Sequence, residues 1–248
     1  MDNDQRFIRT KLLLGDAAFS RLQAGHVAII GLGAVGGYAM EGLVRAGVGE
    51  ITLVDFDTIQ PSNLNRQILA LDSTIGTTKV RAGECRSKDI NPACRVHALE
   101  LFADDQSIAT ILDLHPDVVI DAIDSLNPKV QILSACHHQP VKVFSSMGAA
   151  LRRDPWQIRC DDIAKTHGCP LARRLRKRLR TLGVFSGITC VYSTEPVEFT
   201  YPPTDPAGLP VFDRGRQRNT LGSLPTLTAL FGLTLANEAI RWLAEERP

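Results

Sequence analysis

A short apolar strand pattern followed at once by a glycine-rich turn constrains the fold of this chain more than any other feature. The strand pattern HVAIIG covers His26 to Gly31, and the residues that follow, GLGAVGGYAMEGLVRAGV, are typical of a turn that opens a helix. Gly31, Gly33 and Gly36 spell G-x-G-x-x-G in this context. Glycines let the backbone approach a phosphate closely, and the helix N-terminus supplies free N–H groups and partial positive charge. The pattern therefore predicts a nucleotide site.

Further strand patterns alternate with helical patterns along the first 150 residues. Strands spaced in this way indicate a mostly parallel sheet with helices on both faces. We therefore predict a Rossmann-like α/β fold. The further predicted strands are Glu50 to Asp55, Cys94 to Ala98, Asp117 to Asp121 and Val141 to Ser145.

The character of the chain changes after about Asp154. At 248 residues the chain is long enough for one large domain with an appendage. We expect a nucleotide-binding domain at 1–154 and a smaller C-terminal region at 155–248, packed on the same core. In that region, Lys165 to Thr181 is predicted to be a basic helical stretch, and residues 201–222 to be a long mobile loop rich in Pro, Gly, Asp and Arg.

Composition excludes several classes of protein. The formal net charge is +1, so any argument for nucleic acid depends on local clusters of basic residues. The N-terminus lacks the long apolar segment of a secretory signal, which predicts a cytoplasmic protein. None of the six cysteines forms a C-x-x-C pair, so we expect neither a disulfide scaffold nor a structural zinc site.

One uncharged stretch, Thr220 to Asn237, has nearly the length of a membrane span. Pro225, two glycines and several hydroxyl side chains dilute its hydrophobicity. We therefore predict a buried C-terminal helix rather than a membrane helix.

Polar residues after the predicted strands favour ATP over NAD. A NAD site needs one acid after the second strand, here Asp55, to accept from ribose hydroxyls. This chain adds cations and a further acid suited to Mg²⁺, which would neutralise a triphosphate attacked at its α-phosphorus but serve no purpose in hydride transfer. The additional residues are Asp57, Asn63, Asn65, Arg66, Lys79 and Asp124.

These blocks resemble the E1-like adenylating family, which includes the ThiF, MoeB and ubiquitin-activating proteins. The blocks, in the family's order over residues 6 to about 150, are G-x-G-x-x-G, AGVGEITLVDFDTIQPSNLNRQ, IGTTKV, INP and the D-x-x-D of DAID. The resemblance implies that the three glycines line the phosphates, that Asp55 holds the ribose, and that Asp124 binds Mg²⁺. It also implies triphosphate contacts from Asn63, Arg66 and Lys79. The N-terminal R-x-x-R matches Arg6 and Arg9, and Arg9 would reach the ATP of a second subunit, which implies a homodimer.

The second half resembles the branch of that family that dehydrates threonylcarbamoyladenosine in tRNA. The matching segments are DPWQIRCDDIAKTHGCPLARRLRKRLR and ITCVYSTEPV. The resemblance implies that ATP activates the threonyl carboxylate of the modified adenosine next to the anticodon. The substrate's own carbamoyl nitrogen would then close a ring and expel AMP.

Clustered positive charge, together with the nearby adenylation site, favours an RNA substrate over a plain solvated helix face. Six basic residues lie within eight positions, while leucines at helical spacing, Leu171, Leu175, Leu179 and Leu182, predict a buried stripe. Phosphates would relieve the repulsion between these charges. The predicted tRNA-binding residues are Arg173, Arg174, Arg176, Lys177, Arg178 and Arg180. Arg214, Arg216 and Arg218 in the predicted loop form a further basic group.

Alternatives remain open at this stage. The chain could activate the C-terminus of a ubiquitin-like sulfur carrier, although that branch often holds zinc with two C-x-x-C pairs. An NAD-dependent dehydrogenase or a non-catalytic nucleotide-binding module would leave Arg66 and Lys79 unexplained. Cys160, Cys169 and Cys190 are expected to be ordinary residues, with an exposed sulfur-accepting cysteine and a cysteine desulfurase partner as an open alternative. His137 and His138 are expected at a helix end.

Overall fold

Seven strands form one sheet in the computed structural model of the protein, which describes residues 3–104, 106–197 and 221–246. The order across the sheet is β3-β2-β1-β4-β5-β7-β6, and every pairing is parallel except that of β6 with β7. The strands are β1 (His26–Ile30), β2 (Glu50–Val54), β3 (Arg95–Leu99), β4 (Val118–Asp121), β5 (Lys142–Ser146), β6 (Ile158–Asp162) and β7 (Thr189–Ser193).

Helices cover both faces of this sheet, as the sequence predicts. One hydrophobic cluster joins the strands to α3, α4, α5 and α9, and a second cluster on the other face joins them to α6, α7 and α8. The helices are α1 (Asn3–Arg6), α2 (Ile8–Leu14), α3 (Asp16–Ala24), α4 (Gly36–Ala46), α5 (Lys79–Ile90), α6 (Ser107–Leu112), α7 (Leu126–His137), α8 (Pro170–Arg180) and α9 (Pro225–Ala244).

The predicted strands are confirmed with small shifts in their bounds. All five residues of β1 and all four residues of β4 are buried, because parallel strands covered on both faces carry continuous apolar runs. The third predicted strand begins and ends one residue later than expected, at Arg95 and Leu99. His137 and His138 end α7 as predicted.

Strands β6 and β7 were not predicted. Strand β7 joins β5 in parallel, and β6 returns antiparallel along β7, so chain on both sides of residue 154 contributes to a single sheet. The run of β6, IRCDD, carries two acids and no continuous apolar stretch, which concealed it as a strand. Its edge position explains the composition, because an edge strand tolerates charge.

The predicted C-terminal helix exists but its start was placed too early. Helix α9 begins at Pro225 rather than at Thr220 and continues to Ala244. Proline at the first helical position lacks only an N–H that would have no intrahelical partner, so Pro225 is well suited to begin the helix. No helix among the residues that the structure describes is long and apolar enough to span a membrane.

The basic stretch is helical over a shorter range than predicted. Helix α8 covers Pro170–Arg180, whereas the residues from Lys165 to Cys169 lie outside it. Leu175 and Leu179 are buried, but Leu182 follows the helix and is 49% exposed, so its assignment to the buried stripe was wrong. The turn after Arg180 redirects the chain before Leu182 can continue the helical periodicity.

Close packing of α9 against α4 joins the last described helix to the helix of the glycine turn. A Cβ atom on Gly232 would lie 2.3 Å from the carbonyl oxygen of Val35, and one on Gly42 would lie 3.0 Å from the Cβ of Ala236. The two helices approach so closely because both contact positions lack side chains.

Part of the sequence-based interpretation falls outside the described residues. Positions 201–220 of the predicted loop lie there, and so do Arg214, Arg216 and Arg218.

Candidate functional site

The loops that carry the predicted site residues meet at the carboxyl edge of the sheet, between β1 and β4. Strand order reverses at this point, because β2 and β3 lie to one side of β1 while β4 and β5 lie to the other. Open α/β sheets bind ligands in the crevice at such a switch point. The glycine turn follows β1, Asp55 follows β2, and Asp124 follows β4.

The glycine turn requires at least two of its glycines for geometric reasons. Gly31 has a φ of +92°, and a Cβ atom there would lie 3.0 Å from the carbonyl oxygen of Ala122 in the loop after β4. A Cβ atom on Gly36 would lie 1.8 Å from the carbonyl oxygen of Gly31. Around Gly33, by contrast, the nearest atom would be 3.9 Å away, on the side chain of Gln67. This open backbone at the start of α4 fits the close approach of a phosphate.

Asp55 holds the glycine turn in place. Its Oδ2 accepts from the backbone N–H of Leu32 at 2.6 Å, and its Oδ1 accepts from that of Asp57 at 2.9 Å. Burial raises the pKa of this carboxyl, while Lys79 and the two N–H donors act in the opposite direction. A ribose contact would therefore use the lone pairs that these bonds leave, on a carboxylate already oriented by the turn.

Backbone pairing places Lys79 next to Asp55 and Asp57. Its N–H donates to the carbonyl of Asp57 at 3.0 Å, next to an isolated bridge between Thr58 and Thr78, so the start of α5 lies against the loop after β2. The Nζ atom lies 2.6 Å from Oδ2 of Asp57 and 3.6 Å from Oδ2 of Asp55. The residue is only 5% exposed, and its ammonium group faces the partly exposed Asp57 beside the switch point.

Asn63 and Arg66 lie on a tight turn after β2. Oδ1 of Asn63 accepts from the N–H of Gln60 at 3.0 Å, which caps a short 3-10 helix. Arg66 donates from Nη1 to the carbonyl of Ser62 and to Oδ1 of Asn65, at 2.9 and 2.8 Å. Both bonds use one nitrogen of the guanidinium, so Nη2 and Nε can still engage a phosphate.

Gln67 is a site residue that the sequence analysis missed. It is 8% exposed, and its Oε1 has no hydrogen-bond partner among the described residues. Its Nε2 is the atom nearest to the open side of Gly33. A buried amide oxygen without a hydrogen-bond donor is costly, so this oxygen is suited to a donor on a bound ligand. Its position directly after Arg66 was the available signal.

A fully buried ion pair supports the loop that carries Asp124. Nζ of Lys129 donates to Asp121 at 2.5 Å and to the carbonyl of Ser146 at 2.9 Å, and both charged side chains have no exposed surface. Asp121 also accepts from the N–H of Ile123 at 3.1 Å. Asp124 follows on the exposed side of this loop. Neither Asp121 nor Lys129 was assigned a role from the sequence.

The basic face of α8 adjoins this loop. Arg178 donates to Oδ1 of Asn127, three positions after Asp124. Arg176 is different, because it is half-buried and donates to Thr166 through the backbone carbonyl at 2.7 Å and through the hydroxyl. Arg176 therefore holds the segment before α8 in place. The exposed members of the basic face are Arg173, Arg174, Lys177, Arg178 and Arg180.

The N-terminal arginines lie on the first two helices. Arg6 donates to the carbonyl of Ile90 at the end of α5. Arg9 is exposed on α2 and makes no hydrogen bond or ion pair within the described part of the chain. Three exposed apolar residues surround it on α2, namely Ile8, Leu12 and Leu13.

Two candidate metal positions are considered among the described residues, one predicted from the sequence and one found as a cluster of ligand atoms. At the crevice, Asp124 offers a carboxylate beside the predicted triphosphate site, which suits the oxygen ligands that Mg²⁺ prefers. At the opposite edge of the sheet, ligand atoms of His26, Glu50 and His97 lie within 4.8 Å of one another. There Glu50 is already 2.8 Å from Nε2 of His97 and 3.3 Å from Arg95, which describes an ion-pair network. Asp124, beside the predicted triphosphate site, therefore remains the candidate for Mg²⁺.

The cysteines that were considered as sulfur acceptors are poorly placed for that chemistry. Cys169 and Cys190 are buried, and burial raises the pKa of Cys190 far above its usual range. Burial also raises the pKa of Cys160 to about 11. Thiols with such values carry little thiolate at neutral pH, so they are weak nucleophiles. Cys85 is exposed on α5.

The fold and the crevice together define an α/β protein of the nucleotide-binding class, with the glycine turn, Asp55 and Asp124 at its switch point. The chain belongs to the ThiF family, whose family model matches residues 5–248.

Named relatives are similar over most of the chain. A tRNA threonylcarbamoyladenosine dehydratase of Bacillus subtilis is 40% identical over 190 residues, which cover 77% of this chain and 75% of the relative. The Escherichia coli enzyme of the same name is 35% identical over 250 residues, covering 96% and 92%. The crystal structure of the E. coli enzyme in complex with ATP matches with a TM-score of 0.85 at 34% identity, over 97% of this chain and 94% of that one.

Proposed function

We propose that the chain is an ATP-dependent tRNA threonylcarbamoyladenosine dehydratase, a cyclising ligase-type enzyme. ATP activates the threonyl carboxylate of the modified adenosine next to the anticodon, with release of pyrophosphate. The carbamoyl nitrogen of the same substrate then attacks the activated carbonyl and expels AMP. The net change is loss of one water from the nucleoside, coupled to cleavage of ATP into AMP and pyrophosphate. The named relatives, including one solved with ATP, support this proposal.

The observation that carries the proposal is the contact between the basic helix and the adenylation crevice. Arg178 on α8 bonds to Asn127, and Asn127 lies one turn beyond Asp124. Exposed arginines and lysines on α8 would neutralise RNA phosphates and release their counterions. A nucleoside held at the crevice by an RNA backbone on α8 would thus meet ATP at the switch point.

In this proposal the residues of the crevice contact different parts of ATP. The glycine turn supplies backbone N–H groups to the phosphates, and Asp55 orients the ribose. Arg66 and Lys79 stabilise charge as pyrophosphate leaves, which in such sites contributes about 2.7–4 kcal/mol per donor. Asp124 would hold Mg²⁺, which when bound neutralises phosphate charge. The remaining ATP contact comes from Asn63, while Asp57 holds Lys79 at the crevice until a phosphate replaces it.

We further propose a homodimer in which Arg9 completes the ATP site of the partner subunit. The support is the exposed apolar surface on α2, where Ile8, Leu12 and Leu13 are 50%, 79% and 84% exposed. Apolar side chains this exposed on one short helix are typical of an interface. A second copy that covers α2 would bury them and carry Arg9 toward another crevice.

The remaining parts of the proposal concern location and organisation. We place the enzyme in the cytoplasm, where a tRNA substrate is available. Residues 1–154 would handle ATP, while 155–248 would handle tRNA on the same sheet. A cysteine desulfurase partner would need an exposed thiol, and Cys85 is more exposed than Cys160, Cys169 or Cys190.

The decisive experiment uses the full chain with ATP, Mg²⁺ and tRNA that carries threonylcarbamoyladenosine. Digestion and mass spectrometry should show a nucleoside lighter by one water, together with AMP and pyrophosphate. Folded protein that binds ATP but produces no such nucleoside would contradict the proposal. Exchange of pyrophosphate into ATP that depends on a ubiquitin-like carrier would instead indicate a carrier activator.

Replacing Asp124 tests the metal assignment. Asp124→Ala should lower Mg²⁺-dependent AMP formation by at least about 100-fold, because charge on the phosphates is no longer neutralised in place. Asp113→Ala, at an exposed position after α6, is the matched control and should keep full activity. If Asp124→Ala forms AMP at the same rate as the unmodified protein, the assignment of Asp124 as a metal ligand is wrong.

A further inference from the structure

Arg152 is a buried cation that the proposed mechanism does not use. The residue is 2% exposed, and it has the largest side chain among those that are almost completely buried. Its Nη2 lies 3.5 Å from the carbonyl oxygen of Gly168, at the limit for a hydrogen bond. Its Nε and Nη1 have no hydrogen-bond partner among the residues that the structure describes.

An arrangement of this kind is unfavourable in the absence of an anion. Guanidinium cannot lose its proton in a protein, so burial cannot neutralise it. Buried charges are normally paired, and an uncompensated one destabilises the folded state. The backbone beside it is also strained, since Leu151 has a φ of +62° and is held there by a bond from its N–H to the carbonyl of Gly222 at 2.9 Å. Strained backbone of this kind clusters at binding sites.

Arg152 lies on the same edge of the sheet as the nucleotide crevice. The segment 147–157 leaves the carboxyl end of β5 and returns at Ile158, which pairs with Ser193 at the carboxyl end of β7. Gly168 belongs to this edge too, because a Cβ atom on it would lie 3.0 Å from the carbonyl oxygen of Thr194. Strand β7 is two places from β4, which at about 4.8 Å per strand puts it roughly 10 Å across the edge.

We propose that Arg152 binds an oxyanion of the substrate, the carboxylate that is to be activated. This inference rests on the proposed function. A carboxylate is repelled by the triphosphate that it must attack, and a planar guanidinium offers it two parallel N–H donors. Nε and Nη2 of an arginine form such a fork, and here Nε has no partner while Nη2 makes only the 3.5 Å contact with Gly168, which the carboxylate would replace. Because Arg152 is only 2% exposed, the carboxylate can reach it only if the loops around it open.

The first test measures thermal stability and needs neither ATP nor tRNA. Arg152→Met keeps much of the side-chain volume and removes the charge, so its Tm should rise by about 2 °C or more. Arg153→Met, at the exposed neighbouring position, is the matched control and should leave the Tm unchanged. Sodium acetate should raise the Tm of the unmodified protein, relative to chloride at the same ionic strength, more than that of Arg152→Met. A lower Tm for Arg152→Met, with no difference in the response to acetate, would make Arg152 a structural residue and overturn the proposal.

The second test identifies which oxyanion is bound. Affinities are measured for tRNA with and without the threonylcarbamoyl group, using unmodified protein, Arg152→Met and Arg152→Lys. A carboxylate site predicts that Arg152→Met loses at least about tenfold in affinity for the modified tRNA only, and that Arg152→Lys recovers part of the loss. Equal losses for both RNAs would assign Arg152 to an RNA phosphate and contradict the carboxylate. All three proteins should bind ATP equally well. If the unmodified protein binds no ATP, the proposed function is contradicted, whereas the acetate test of Arg152 still applies.

Discussion

Lys79 and Lys129 are both buried lysines paired with aspartate near the carboxyl ends of strands, yet their surroundings differ. Lys129 and Asp121 have no exposed surface, and their hydrogen bonds end on Ser145 and Ser146 of β5. Lys79 is paired with Asp57, whose side chain is 40% exposed. A lysine that contacts only buried partners holds the loops in position. A lysine whose partner faces solvent can exchange that partner for a phosphate. Burial alone therefore does not separate support from function.

The largest expected effect is on stability, at the internal pair. Lys129→Met leaves Asp121 buried without its counter-charge, which should lower the free energy of unfolding by about 3–5 kcal/mol. Chemical denaturation measures the change. Adding Asp121→Asn to the same chain should restore part of the loss, and Lys165→Met, at an exposed position, should have no effect. If Lys129→Met unfolds at the same denaturant concentration as the unmodified protein, the internal pair is not a support.

The second effect is on catalysis, at the pair that faces the crevice. Lys79→Ala should slow AMP formation by about 100-fold or more, because one cation of the proposed triphosphate site is lost. Release of pyrophosphate, with the folded fraction measured separately, gives the rate per folded molecule. Arg81→Ala on the same helix, where Arg81 pairs with Glu84 at the surface, should keep the normal rate. If Lys79→Ala is as unstable as Lys129→Met but forms AMP at the normal rate, both lysines have a structural role and Lys79 has no catalytic one.

The smallest expected effect is on tRNA binding, where α8 also has one basic residue that faces solvent and one that is held by internal contacts. Arg174 is exposed, whereas Arg176 is bound to Thr166. Arg174→Ala should reduce the dependence of tRNA affinity on salt by about one phosphate contact, with no change in stability. Arg176→Ala should lower stability and leave the slope of affinity against salt nearly unchanged. Titrations at several salt concentrations, with a thermal melt of each variant, separate the two roles; the reverse pattern would exchange them.

The same distinction explains what could be predicted from the sequence. Lys79 was found because it lies in a motif, IGTTKV, and the sheet was found because β1, β2 and β4 are apolar runs bounded by turn residues. Lys129 reads as an ordinary surface lysine near the start of a helix, and only the packing of α7 on β4 and β5 buries it. Arg152 and Gln67 were missed for the same reason, since a missing partner is visible only in three dimensions. Strand β6 was missed because its pairing with β7, not its composition, makes it a strand.

The packing of α9 on α4 has a consequence for the order of events during synthesis. The helix of the glycine turn ends at Ala46, but the helix that covers it ends at Ala244. At about 5–20 residues per second, a ribosome needs roughly 10 to 40 s to make the chain between these two positions. Until then the apolar side of α4 has no cover, and a chaperone that shields exposed apolar surface would be expected to occupy it. A nascent chain interrupted before α9 should therefore neither retain ATP nor resist proteolysis, although it already contains every residue of the nucleotide crevice.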